Sequence, residues 1–145
     1  EAVYIEKVES NRPVRLFTQI GRRVPLHVTA CPRALLAFWP DDEIEMYIAR
    51  TEMIAFTTRT VADAQTLRTK IREIRQNGYS IAFGELEPET TAIAVPINGH
   101  RGEVIASLSV AGPDSQFKEE ELGNIIRSVK DMAGRVSREV GYDGR

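Results

Sequence analysis

Ala92-Ile93-Ala94-Val95-Pro96-Ile97-Asn98-Gly99-His100-Arg101-Gly102-Glu103-Val104-Ile105-Ala106-Ser107-Leu108-Ser109-Val110-Ala111-Gly112-Pro113 reads as two strands joined by a tight polar turn. Side chains alternate along a strand. On the first strand Ile93, Val95 and Ile97 share one face, and Ala92, Ala94 and Pro96 the other. On the second, Val104, Ala106, Leu108 and Val110 oppose Ile105, Ser107, Ser109 and Ala111. Both faces are almost free of charge, so both are expected to be covered. The bulky face asks for a core. The face of Ala and Ser leaves room for a closely packed helix or for a small ligand.

The segment upstream repeats the pattern. In Tyr79 to Glu85, Tyr79, Ile81 and Phe83 alternate with Ser80, Ala82 and Gly84, giving a third strand with a small face. Nearer the start, Val3 to Val8 and Val14 to Phe17 read as a hairpin about Ser10-Asn11-Arg12-Pro13, and Gly21 and Pro25 bracket a loop. A helix is expected from Ala30 to Phe38 with Thr29 as its cap. Pro32 is acceptable there because it falls in the first turn. A second helix starts at Asp41-Asp42-Glu43 and runs to about Arg50, and Met53 to Arg59 reads as loop. Ala64, Leu67, Ile71 and Ile74 lie at helical spacing after Thr60-Val61-Ala62-Asp63, with Asn77-Gly78 as the stop. From about Ser115 a long helix carries Leu122, Ile125, Ile126, Val129, Met132, Ala133, Val136 and Val140 as its apolar stripe, and Gly141 ends it. Hairpin strands with segregated helices predict an α+β fold with a largely antiparallel sheet of about five or six strands flanked by helices.

The chain has 145 residues, 42% of them hydrophobic and 28% charged, with a net charge of −2, an ordinary balance for one globular domain. No basic run builds a phosphate-binding stripe, and no apolar run approaches a membrane span. The single Cys31 excludes an internal disulfide and suits a reducing cytoplasm. The start at Glu1, with no signal peptide and no initiator Met, predicts a fragment of a longer protein.

His27, His100 and Cys31 lack the spacing of a metal site, and no cofactor motif is present. His100 falls in the hairpin turn and is expected to be solvated. His27 can touch a ligand or pack on the sheet. Cys31, near a helix start, is open to a lowered pKa, but no base accompanies it. Glu85, Glu87 and Glu89 alternate as a solvated strand-end cluster or as paired carboxylates. No base–nucleophile–orienter set supports an enzyme using Glu85 or Ser109. What remains is the helix start at Thr29-Ala30-Cys31, whose free N–H groups suit an anion, set against strands with small faces. Together they outline a pocket for a small carboxylate, with tight helix packing as the alternative.

Gly21-x-x-x-Pro25-Leu26-His27-x-Thr29-Ala30-x-x-Arg33-Ala34-Leu35-Leu36-Ala37 resembles the opening segment of the ligand-binding domain of IclR-type bacterial transcriptional regulators. Thr60 before a helix, Leu67-x-x-x-Ile71-x-x-Ile74-Arg75-x-x-Gly78-Tyr79, Glu85, Ile93-Ala94-x-Pro96 and Ser107-Leu108-Ser109-Val110-x-Gly112-Pro113 follow in the family's order. The resemblance spans essentially the whole chain. It implies a GAF-like effector-binding domain over residues 1–145, acting as a homodimer or homotetramer, with an N-terminal winged helix-turn-helix that is absent here and makes the contact with DNA. It also implies an effector site against the sheet at Ala30, Cys31, Ala82, Ala92, Ser109 and Ala111. Pro32-Arg33 stands where the family has Gly-Lys, Ala82 where some members have an acid, and Glu89 where Gly is common. The less polar pocket that follows points to a carboxylate of larger or more apolar kind, such as an aromatic acid. Phe38, Trp39 and Met53 are candidates for a contact between subunits, with Trp39 equally suited to the core. A GAF/PAS-like sensor module of an enzyme or signalling kinase is the alternative reading.

Overall fold

The computed structural model describes residues 1–11 and 18–144. The elements are β1 (Ala2–Val3), β2 (Arg23–Val24), α1 (Ala30–Leu36), α2 (Asp41–Arg50), α3 (Ala64–Asn77), β3 (Ser80–Phe83), β4 (Thr90–Asn98), β5 (Val104–Pro113) and α4 (Glu119–Glu139), with a 3-10 turn at Asp114–Gln116. β3, β4 and β5 form an antiparallel meander in sequence order, and β1 pairs with β2 as a separate antiparallel ribbon. The fold is α+β as expected, but the five described strands form two sheets.

The register shows how each face is used. Ile93, Val95 and Ile97 lie opposite Val110, Leu108 and Ala106, while Ala92, Ala94 and Pro96 lie opposite Ala111, Ser109 and Ser107. The bulky face packs on α4, where Val95, Ile97, Leu108 and Tyr79 meet Val129, Ala133, Ile125 and Val136. The small face is covered by α1: Ala82 and Ala94 meet Ala30 and Ala34, with Cys31 and Ala92 at the margin. Alanines on both surfaces let the helix approach closely, and interiors close-packed in this way tolerate little added volume. A third cluster, including Leu36, Ile44, Leu67, Ile71 and Ile74, joins α1 to α2 and α3. The sheet thus lies between α4 and α1, which cover most of its two faces but leave Phe83, Ile105, Val110 and Ala111 exposed.

Several boundaries differ from the sequence reading. The strand expected from Val3 to Val8 is reduced to Ala2–Val3, and its partner is Arg23–Val24, within the stretch read as loop. Val14 to Phe17, the partner expected, lies outside the described residues. α1 ends two residues early, and α4 begins at Glu119 because the 3-10 turn intervenes. The cap of α3 is Asp63, whose side chain accepts from Thr66 N; Thr60 Oγ1 instead accepts from Phe56 and Thr57 N and donates to the Glu85 carbonyl. Gly78 ends α3 in the left-handed region at φ 73°, where a residue without Cβ is favoured. On α4, Ser137 is buried where Val140 was expected, and its hydroxyl accepts from Asn98 N and donates to the Ala133 carbonyl.

The largest departure is Glu85. It is neither solvated nor paired with another carboxylate: its side chain is 7% exposed and meets Arg33, which is 0% exposed. The guanidinium donates to both carboxylate oxygens, at 2.6 and 2.8 Å, and also to the carbonyls of His27 and Ile81. Thr29 N donates to the same carboxylate at 3.2 Å. The Thr29 backbone sits at φ 58°, ψ −178°, a region almost confined to glycine, and its side chain makes no capping bond. Such strain, on the order of 1–3 kcal/mol, persists only when the surroundings over-determine it. Here the fully buried Val28, the Arg33 bond to His27 and the Glu85 bond to Thr29 do so.

Breaking a buried pair from one side leaves an uncompensated charge. Glu85→Gln is therefore expected to lower the unfolding free energy by about 3–5 kcal/mol, read from urea midpoints at constant slope. A loss below about 1 kcal/mol, the scale of an exposed pair, would show that the pair does not hold the fold together.

Candidate functional site

Of the six expected site residues, Ala30 and Cys31 open α1, Ala82 and Ala92 pair across β3 and β4, and Ser109 and Ala111 lie on β5; they are not equivalent. Ala30 and Ala82 are sealed within the alanine cluster, Ala92 and Cys31 lie half-buried at its margin, Ser109 is half-buried and Ala111 is exposed. The small face is thus closed under the body of α1, with Ala94 fully buried, and opens toward the Ala92–Ala111 pair, with Ser109 half-buried at the edge. Two surface hollows, about 300 Å³ beside α4 and about 180 Å³ beside α3, lie away from these residues.

Cys31 is the chemical centre of the patch. Its sulfur lies 2.9 Å from Ser107 Oγ, and Ser107 Oγ donates to the Cys31 carbonyl, also at 2.9 Å. These bonds tie the first turn of α1 to β5. Burial pushes the Cys31 thiol above its ordinary pKa, outweighing the bonds from Ser107 and Ser109 that lower it. The lowered pKa suggested by the helix start is therefore reversed: desolvation of a thiolate dominates over one short helix end. The anion-binding end of α1 is in part occupied from within, since Glu85 supplies a carboxylate to Thr29 N.

Tyr4 stands close enough to feel the charge state of Cys31. Its phenol is pushed up to about 12, by burial first and then by Cys31. Arg22 and Glu87, also felt by Tyr4, are paired at 3.3 Å, with both side chains partly exposed. Sequence reasoning placed Ser107 on the right face but not in the site. Tyr4 and Arg22 carried no signal, and Glu87, read as part of an alternating acidic cluster, instead pairs with Arg22.

His27 belongs to the support instead of the patch. It is fully buried, with Nδ1 3.1 Å from Tyr47 Oη and Nε2 3.2 Å from the Ile54 carbonyl. Burial lowers its pKa, and the neutral ring fits these partners, one nitrogen donating to the carbonyl and the other accepting from the phenol. Its packing is against α2 and the following loop, not the sheet. His100 is exposed in the hairpin turn, as expected.

Residues 1–138 match the family described as "Bacterial transcriptional regulator IclR C-terminal". The HTH-type transcriptional regulator KipR of Bacillus subtilis (strain 168) is 44% identical over 142 residues, covering 98% of this chain and 57% of that protein. The HTH-type transcriptional regulator KdgR of Escherichia coli (strain K12) is 34% identical, covering 97% of this chain and 53% of the relative. The chain therefore spans about half the length of the curated relatives it matches. Among solved structures, the IclR of Thermotoga maritima is similar with a TM-score of 0.90 and 31% identity, covering 97% of this chain and 57% of that one. KipR and KdgR are both described as HTH-type transcriptional regulators. With the antiparallel meander, the alanine-packed α1 and the match over residues 1–138, the chain belongs to the IclR family of bacterial transcriptional regulators, as its C-terminal domain.

Proposed function

We propose that this chain, over residues 1–145, is the effector-binding and oligomerisation domain of its regulator, and that DNA is bound by an N-terminal winged helix-turn-helix in the whole protein. The observation that carries the reading is the small face of β4 and β5, closed under α1 but open beyond its first turn at Cys31, Ala92, Ser109 and Ala111. The effector is a small carboxylate, and the alanine lining with Cys31 favours an aromatic acid. It lies over the open end of the face, with Ala30 and Ala82 forming the packed floor. Binding there competes with the Cys31–Ser107 bonds, so occupancy shifts the first turn of α1 relative to β5. An effector acts only through its different affinity for two states, here two arrangements of subunits that place the DNA-binding domains differently.

The assembly is a homodimer or homotetramer. Phe38 and Trp39, each more than a third exposed at the end of α1, supply apolar surface for it, whereas Met53 packs half-buried on the core of the same chain. No described helix is long and apolar enough to cross a membrane. The cytoplasm is the compartment in which such a regulator meets its DNA.

A panel of carboxylates, aromatic acids included, is expected to contain a compound that raises the melting temperature. At a hundredfold excess over its dissociation constant the stabilisation is about 2.7 kcal/mol. Ser109→Leu is expected to abolish this shift while leaving the unliganded melting temperature near the parent's, since Ser109 is not in the sealed part of the core. A mutant that unfolds, or that keeps the full shift, would place the effector elsewhere.

The raised Cys31 pKa sets a pH dependence. The thiolate fraction, and with it the rate of alkylation by iodoacetamide, is expected to rise at a higher pH than for an unhindered thiol. The effector should slow the reaction. A rate that plateaus by neutral pH would contradict the buried thiol.

Sedimentation equilibrium is expected to show a dimer or tetramer of this chain, and Trp39→Glu should shift it toward monomer. A parent that is monomeric at high concentration would overturn the oligomerisation reading.

A further inference from the structure

His27 is the fully buried one of the two histidines in the chain, and each of its polar atoms is engaged. Its backbone N–H and its ring Nδ1 meet the same Tyr47 hydroxyl, at 3.2 and 3.1 Å. Nε2 lies 3.2 Å from the Ile54 carbonyl, and the His27 carbonyl accepts from Arg33, also at 3.2 Å. One residue thus joins the approach to α1 with α2 and with the segment that follows α2.

The arrangement suits one proton on the ring. In the neutral ring Nε2 donates to Ile54 and Nδ1 accepts the phenol proton of Tyr47, while the phenol oxygen accepts from the His27 amide. A proton added at Nδ1 turns that acceptor into a donor. Two donors then converge on the Tyr47 oxygen, and the phenol proton loses its acceptor. The charge is unmatched as well. The charged groups that act on the ring are Arg33 from α1 and Glu85 beyond β3, and Tyr47 from α2 is the titratable group in contact with it. Both oxygens of Glu85 are taken by Arg33, at 2.6 and 2.8 Å, and one of them also accepts from Thr29 N. An imidazolium here is a buried cation with no anion of its own, and a guanidinium stands beside it. Burial first, and Arg33 after it, hold the pKa of His27 down against the opposing pull of the Ile54 carbonyl and Glu85.

We infer that His27 is an acid-sensitive latch: a proton taken up by its ring breaks the contacts with Tyr47 and Ile54 and releases α2 and the segment through Ile54 from the start of α1. Because the His27 carbonyl also holds Arg33, the release loosens the seat of α1 on the sheet. The inference does not rest on an effector, and it stands or falls apart from the patch at Cys31.

The sign of the pH dependence follows from which state binds the proton. The native ring stays neutral where the unfolded chain is protonated. Stability is therefore full above the ordinary imidazole value of about 6.5 and is lost as pH falls below it, until the native ring titrates too.

The test follows both imidazole rings of this chain in long-range 1H–15N spectra from about pH 8 to about pH 4.5, a range that spans ordinary histidine titration. Amide hydrogen exchange is measured at the same pH values and corrected for intrinsic rates. His100, which is exposed, is expected to titrate near 6.5. His27 is expected to remain the neutral Nε2–H tautomer through that step and to take up its proton only at lower pH. Its protonation should coincide with a loss of exchange protection of about tenfold or more at the His27 and Thr51 amides and along α2, while α4 keeps its protection. The unfolding constant should rise about tenfold per pH unit just below 6.5 in the parent and in His100→Gln, and this rise should be largely absent in His27→Gln. If His27→Gln does not fold, the ring titration and the exchange pattern of the parent decide alone. A His27 ring that titrates together with His100, a protonation that leaves α2 protected, or a loss of protection at α4 at the same pH would overturn the proposal. The last outcome is global unfolding, not the opening of a latch.

Discussion

The buried contact between Arg33 and Glu85 is the constraint on which the site depends. It joins α1 to the end of β3, and through the same two side chains it reaches the carbonyls of His27 and Ile81 and the amide of Thr29. A buried ion pair is weak evidence for net stability, because desolvating both charges offsets much of their attraction. Its geometry is another matter. A bidentate guanidinium with a carboxylate permits few arrangements, and here it determines where α1 begins and at what height it lies over the sheet.

That position explains the backbone at Thr29. A threonine at φ 58° is uphill, yet the chain must leave the buried Val28 and turn at once into α1. Glu85 offsets part of the cost by accepting from the Thr29 amide. Glu89 is the only other described non-glycine residue at positive φ, at 55°. It closes the turn between β3 and β4, where its carbonyl accepts from Asp114 N. Both strained residues border the strand ends nearest the patch, so the rigid scaffold and the opening it leaves are parts of one arrangement.

The small residues serve two purposes along one surface. Under α1 they allow the helix to approach until Ala30, Ala34, Ala82 and Ala94 are sealed. Beyond the first turn of α1 the same pattern continues with nothing packed as closely upon it, and Cys31 and Ser107 bridge the boundary. A molecule that prefers the open end must therefore act on the same contacts that seat the helix. This is a direct physical route from occupancy to a change in α1, and from there to the core shared with α2 and α3.

The α+β class, the β4–β5 hairpin with its two unlike faces, the stripes of α3 and α4 and the family resemblance were legible in the residues alone. These features are local: alternation, helical spacing and glycine stops act over a few residues. Of the six residues that the resemblance named, Ala30, Cys31, Ala82 and Ala92 share one alanine-rich cluster, and Ser109 and Ala111 lie opposite Ala94 and Ala92 across β4 and β5. The sealed part of the small face, the burial of Glu85, the reversal of the Cys31 shift and two unpartnered atoms at Arg33 and Ser80 emerge only from the assembled fold. Alternation cannot distinguish a face filled by a helix from one left open, since alanine and serine suit both. Nor can it show that Glu85 is buried, because the burial depends on an arginine 52 positions away. Charge, desolvation and the count of donors are properties of the assembled neighbourhood, and they exist only once distant segments have met.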